Sequence, residues 1–273
     1  MNRGTPPAFH RCALEGEMMV AVFLHGVPET RYIWDAVRQR MPGRSVALAL
    51  PGFGAELPQG FTATEDEYAD WLAEQVTAFD EPVDLVGHDW GALLTIRLAT
   101  AYDVPLRSWV ADVAACFDSR YRWHPRAVEW QTPDVGERAV AGWLAADAAD
   151  PASIAGVLRA HGSPNERAAA MAAQLNDTTM RSILSLYRSA APTLHHDWGA
   201  AISGPTSAPG LVVIPTADSF IDPGMSRDVA DLLGTRIAVL PGLHHAWMNE
   251  APSTIVDTLT AFWQNVTPVR PDR

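Results

Sequence analysis

Residues 85–94 read LVGHDWGALL, which sets Asp89 midway between Gly87 and Gly91. That spacing suits a sharp turn from a strand into a helix, where the central residue is strained and its side chain stands clear of the sheet. The flanking glycines permit close backbone approach, and a helix starting near Trp90 would aim its first N–H groups at negative charge on the turn. A serine there would need a base to remove its proton. An aspartate, with a reference pKa of about 3.9, is already ionised at neutral pH. A carboxylate attacks sp³ carbon by displacement and leaves an alkyl ester that water must then hydrolyse. The residue type therefore points to epoxide opening or carbon–halogen cleavage and away from ordinary ester hydrolysis. Taken alone, the same aspartate also suits a helix cap, so its surroundings must decide.

The elements that would position it alternate along the chain. Residues 18–24, 45–51 and 83–87 are short apolar runs closed by Gly or Pro, as expected of buried parallel strands. Between them, Tyr32–Arg40 and Thr64–Phe79 have helical spacing, and Thr64-Glu65-Asp66-Glu67 forms a capping box. Strand-like runs return at 107–115, 209–216 and 235–242, followed by a helix over Pro252–Trp263 and a fraying tail. Alternation of this kind predicts an α/β fold with a mostly parallel central sheet flanked by helices. Residues 118–205 lose the strand rhythm and predict a helical insertion. The expected organisation is a core from residues 1–117 and 206–273, with 118–205 as a separate helical subdomain.

With 273 residues, 48% of them hydrophobic, the chain can bury a large single core. Its apolar runs stop well short of the roughly 18 residues of a membrane span. The opening MNRGTPPAFHRC lacks the apolar stretch of a signal peptide, so a cytoplasmic location is expected. Cys12 and Cys116 are too few for a disulfide framework or a metal cluster. The net charge is −12, and all 20 basic residues are arginine. This balance disfavours nucleic acid as a partner, and mildly disfavours strongly anionic substrates.

Four segments occur in order: HGVPETRYIW (25–34), GHDWG (87–91), ADSFIDP (217–223) and PGLHHAWMNEAP (241–252). With these the chain resembles the α/β-hydrolase superfamily, in its branch of epoxide hydrolases and haloalkane dehalogenases with an aspartate nucleophile. The resemblance spans nearly the whole sequence and is weakest in 118–205. It implies a helical cap inserted after the sixth strand, where that segment falls, and no cofactor or metal. It implies Asp89 as nucleophile and His245 as base, because Glu250 and Pro252 stand five and seven residues after it; His244 beside it remains an alternative. Asp218, with Pro223 five residues on, matches the acid that orients the base, with Asp222 and Asp118 as rivals. The N–H groups of Val27 and Trp90 would form the oxyanion hole, Pro28 would be cis, and His25 would be structural.

The two reactions of that branch ask for different partners. An epoxide needs a proton donor for its oxygen, and relatives use two cap tyrosines. The resemblance puts Tyr187 at the second position, although it could equally pack in the helical insertion. Arg126 falls at the first, where a guanidinium is a poor acid, so His124 becomes the candidate substitute donor. A halide needs N–H donors: Trp90 supplies one in either case, Trp123 or Trp130 could supply another, and Val27 replaces a donor asparagine. The balance favours epoxide hydrolysis of a small apolar substrate, with haloalkane dehalogenation as the alternative. A ligand-binding protein of this fold without catalysis is a third reading. Substrate identity, stereochemistry and oligomeric state, a homodimer included, stay open.

Overall fold

The computed structural model describes residues 19–266. Six strands, β1 (Ala21–Leu24), β2 (Ser45–Leu48), β3 (Val83–Gly87), β4 (Leu106–Ala111), β5 (Gly210–Pro215) and β6 (Arg236–Leu240), form one parallel sheet. Their spatial order is β2-β1-β3-β4-β5-β6. Strands β1, β3 and β5 are buried along their whole length, which explains why they read as unbroken apolar runs rather than alternating ones. The chain steps from β1 outward to β2 and then crosses back to β3. The ends of β1 and β3 therefore lie side by side, with Leu24 opposite Gly87. Such a reversal opens a crevice at the carboxyl ends of the strands, the usual place for a ligand.

Ahead of the insertion come α1 (Asp35–Arg38), α2 (Glu65–Thr77) and α3 (Trp90–Ala101). The capping box at Thr64 forms as its sequence predicts, with Thr64 Oγ1 accepting from Glu67 N–H and the Glu67 carboxylate reaching back to Thr64 N–H. The helix expected over Tyr32–Arg40 is reduced to a 3₁₀ turn at Arg31–Trp34 followed by α1. Thr30 gives it no side-chain cap, and Ile33 and Trp34 are drawn fully into the core.

Between β4 and β5 the described residues hold helices and no strand: α4 (Pro125–Gln131), α5 (Val135–Ala145), α6 (Ile154–Ala160), α7 (Asn165–Ala172), α8 (Asp177–Ser189) and α9 (Leu194–Asp197). This segment is pinned to the core by hydrogen bonds from Thr179 Oγ1 to Gly52 O (2.8 Å), Ser185 Oγ to Thr62 O (2.6 Å) and Trp198 Nε1 to Asp66 Oδ1 (3.0 Å). It follows the fourth described strand rather than a sixth; residues 1–18, Cys12 among them, and the tail 267–273 lie outside the described residues. The fold closes with α10 (Pro223–Leu232), α11 (Trp247–Glu250) and α12 (Pro252–Trp263). No described helix is long and apolar enough to cross a membrane.

Candidate active site

Asp89 sits at the tip of the β3–α3 turn with φ 51° and ψ −124°, a left-handed backbone that L-residues rarely adopt. Three glycines make room for it. A Cβ on Gly26 or Gly87 would collide with Asp89 or the Gly91 backbone, and one on Gly91 would lie 2.5 Å from Leu24 O and 2.6 Å from His25 O. Val27 N–H donates to Asp89 Oδ1 at 2.8 Å. Trp90 N–H, the other expected oxyanion donor, makes no hydrogen bond to this carboxylate. The Val27–Pro28 peptide is cis.

His245 and Asp218 arrive from the loops after β6 and β5. His245 Nδ1–H donates to Asp218 Oδ2 at 2.7 Å, and His245 Nε2 stands 3.6 Å from Asp89 Oδ2, an ion-pair separation beyond hydrogen-bond reach. Burial opposes charge on all three groups. It is outweighed at His245, whose pKa is raised well above the ordinary value by Asp218 and then Asp89. Burial pushes the Asp89 and Asp218 carboxyls up as well, but His245 holds both below the usual carboxylate range. These shifts act in the same sense, favouring a cationic imidazole between two carboxylates.

The rival residues stand elsewhere. Asp118 is at the surface, chelated by Arg120, whose guanidinium keeps its carboxyl at about 2. Asp222 caps α10 by accepting Met225 N–H at 2.9 Å. His244 faces solvent and binds Glu250, through Nδ1 at 2.9 Å and its own N–H at 2.8 Å. His25 is structural as expected. It donates from Nδ1 to Gly26 O (2.7 Å) and accepts Leu50 N–H at Nε2 (3.0 Å), and burial lowers its pKa to about 4.

A carboxylate that sequence reasoning did not single out lies directly beneath the turn. Asp112, immediately after β4, accepts Asp89 N–H (2.9 Å), Trp247 Nε1–H (2.7 Å) and His88 Nδ1–H (2.5 Å). Glu29 Oε1 lies 3.3 Å from the other face of His88, at Nε2, close enough for an ion pair but not aligned as a hydrogen bond. Burial lowers the His88 pKa, but Asp112 and then Glu29 outweigh it and hold the imidazole at about 10. A second carboxylate–imidazole–carboxylate cluster therefore runs under the first, with the His88 and His245 rings 4.5 Å apart. Ligand-type atoms of Glu29, His88 and His245 also fall within 4.8 Å of one another. A metal ion there would compete with the protons that Asp112 and Glu29 favour on His88 and that Asp218 and Asp89 favour on His245.

The Asp89 carboxylate opens into a cavity of about 180 Å³ between the strand ends and the helical insertion. Tyr187, from α8, lines it, with its ring 5.3 Å from Trp90 and 4.7 Å from Trp130. Burial, and then Asp89, raise the phenol pKa well above its ordinary value. His124 lines it too, as the cap of α4: its Nδ1 accepts Ala127 N–H at 3.2 Å, so a neutral ring carries its proton on Nε2. Burial holds that ring's pKa at about 4, against the pull of Asp89, so it is neutral at pH 7 and can donate a hydrogen bond but not act as an imidazolium acid. Tyr121, a second phenol in the cavity wall, lies outside the expected tyrosine slot, five residues before Arg126. Of the indoles, Trp123 Nε1–H is spent on Ala190 O at 3.2 Å, while buried Trp90 Nε1–H makes no well-aligned hydrogen bond and lies near enough to the Tyr187 phenol to pull that group's pKa down against burial.

Comparison with known proteins accords with this architecture. Solved structures of similar shape include a loop variant of a haloalkane dehalogenase from Bradyrhizobium elkanii, with 18% identity, TM-score 0.71, and coverage of 92% of this chain and 91% of that one. The Cif epoxide hydrolase from Acinetobacter nosocomialis has 16% identity and TM-score 0.71, over 89% and 82%. A thermophilic esterase from Thermogutta terrifontis has 18% identity and TM-score 0.69, over 92% and 91%. At such identities the likeness establishes the fold alone, and the three proteins are named for three different reactions on it. No curated protein matches the sequence. Residues 21–258 match the model of the alpha/beta hydrolase family, and the chain belongs to that family.

Proposed function

We propose that the protein hydrolyses the epoxide of a small molecule to a vicinal diol through a covalent ester on Asp89, with residues 118–205 acting as the cap over the site. The observation that carries the nucleophile is the division of labour on its carboxylate. Oδ1 is held by Val27 N–H, so Oδ2, on the side of His245, is the oxygen free to attack. As Oδ2 bonds to an epoxide carbon, the ring C–O bond breaks and the oxygen takes the Tyr187 phenol proton. His124 Nε2–H assists by hydrogen bonding.

Esterification removes the negative charge of Asp89 and with it one support of the raised His245 pKa. The imidazolium then returns a proton to the more basic Tyr187 phenolate and becomes a base. Oriented by Asp218, it deprotonates water that attacks Asp89 Cγ, while Oδ1 collects charge at Val27 N–H. A donor so placed is worth roughly 2.7–4 kcal/mol. Collapse of the intermediate releases the diol, and Asp89 and His245 return to their charged states. The residues account for every proton, and no step calls on a cofactor.

Haloalkane dehalogenation is the second reading, favoured by the unspent indole N–H of Trp90. Against it, the Trp123 N–H is committed to Ala190 O, whereas an epoxide oxygen finds the Tyr187 phenol. The test is His245→Gln incubated with pooled epoxides and haloalkanes, read by intact-protein mass, with Asp89→Ala/His245→Gln as control. An adduct of a whole epoxide, absent from the control, supports the first reading. An adduct of haloalkane less HX supports the second. No adduct from either pool, or an adduct that survives in the control, rejects the aspartate-ester mechanism.

A further inference from the structure

Arg126 is the one arginine lining the cavity, and the chain has no lysine. It also borders a shallow outer depression with Glu129 and Ser219, which places it at the cavity mouth. No carboxylate lies within 4.0 Å of it among the described residues, and its guanidinium makes no hydrogen bond there. Its guanidinium carbon instead sits 4.8 Å from the Trp143 ring centroid. Stacking of this kind fixes the plane of a guanidinium and leaves its N–H edge free to meet two oxygens at once. The remaining arginines with salt-bridge partners, such as Arg107 on Asp84 and Arg188 on Glu137, show the usual alternative.

Trp143 and Arg126 stand at one end of an aromatic row. The Trp143 ring is 5.5 Å from Trp130, Trp130 is 4.7 Å from Tyr187, and Tyr187 is 5.3 Å from Trp90, which adjoins Asp89. An apolar wall thus separates the unpaired cation from the nucleophile. Arg126 is also among the charges that lower the pKa of His124 and His161 in the same cavity, so its field reaches inside.

We infer that Arg126 binds a carboxylate at the far end of the substrate, so that the molecule is an acid carrying its reactive carbon beyond an apolar spacer. This rests on the reading of the cavity as the substrate site. The net charge of −12 opposes an anion only at long range, where salt screens it over about 8 Å, whereas the guanidinium acts in contact. The carboxylate also keeps the substrate's negative end away from Asp89, which a charge nearer the triad would repel.

The test measures binding and needs no turnover. Quenching of tryptophan fluorescence is titrated with 4-phenylbutanoate and with 4-phenylbutanamide, which match in shape and differ in charge, on wild type, Arg126→Met and Arg126→Lys. Wild type should bind the acid about tenfold or more tightly than the amide, Arg126→Met should lose the preference, and Arg126→Lys should keep part of it. Equal binding of the two probes, no binding of the acid, or a preference that survives in Arg126→Met overturns the inference. Failure of the adduct experiment with a positive result here would overturn the chemistry at Asp89 and leave the anion site standing.

Discussion

Glu65 opens α2 where the core meets the helical insertion, and it is buried with Oε2 lacking any hydrogen-bond partner. Its N–H donates to Ser189 Oγ at 2.9 Å, across that seam. Burial, reinforced by Asp197 and Asp66, raises its carboxyl pKa from 4.5 to about 8. The folded protein therefore keeps a proton that the unfolded chain releases above about pH 4.5, and stability must fall as pH rises from there to about 8. At pH 7 the unfolded state has gained about 2.5 pKa units of ionisation, and at about 1.36 kcal/mol per unit the cost is about 3 kcal/mol. Glu65→Gln keeps the shape of the neutral acid and removes the titration. Urea unfolding of both proteins at pH 4.5 and pH 7 should show the variant gaining about 3 kcal/mol relative to wild type between the two values. A difference between variant and wild type that stays constant with pH would show that Glu65 is ionised in the fold, and the reasoning would fail.

Asp112→Leu should cost about 3–5 kcal/mol in urea unfolding, because it strips the His88 imidazolium, the Trp247 indole and Asp89 N–H of one shared acceptor; a loss under about 1 kcal/mol would contradict that account. Gly91→Ala places a Cβ 2.5 Å from Leu24 O, so α3 must shift at a cost of about 1–3 kcal/mol, and adduct formation at Asp89 in a His245→Gln background should slow about 100-fold by stopped mass spectrometry. An unchanged adduct rate would mean that the turn tolerates displacement. Tyr187→Phe should slow esterification by an epoxide about 100-fold while leaving esterification by an alkyl halide nearly unchanged, because only the former needs a proton. Equal effects on both would reduce Tyr187 to packing.

The sequence was sufficient wherever a property is local or repeats along the chain. Strand-like runs mark all six described strands, and β3, α3 and α12 begin where their residues predict. Gly87 and Gly91 announced the strained turn because a Cβ on Gly91 would meet the Leu24 and His25 carbonyls and one on Gly87 would meet the Gly91 carbonyl. Motif spacing likewise selected His245 and Asp218, which the fold brings to 2.7 Å of each other.

What remained hidden depends on register between distant strands. Gly87 pairs with Ala111, so the next residue on each strand, His88 and Asp112, meet although 24 positions apart. No pattern along the chain encodes that pairing; the carboxylate the sequence singled out after β4 was Asp118, as a rival to Asp218, and the structure pairs it with Arg120 instead. Tyr121 was equally illegible as a cavity residue, because it lies in the irregular turns ahead of α4, where no helical periodicity shows which side chains face inward. The sequence determined the sheet, the turn and the candidate trio of Asp89, His245 and Asp218; the tertiary structure alone decided which buried charges support them, since a carboxylate's role is set by the partners that packing brings within about 3 Å.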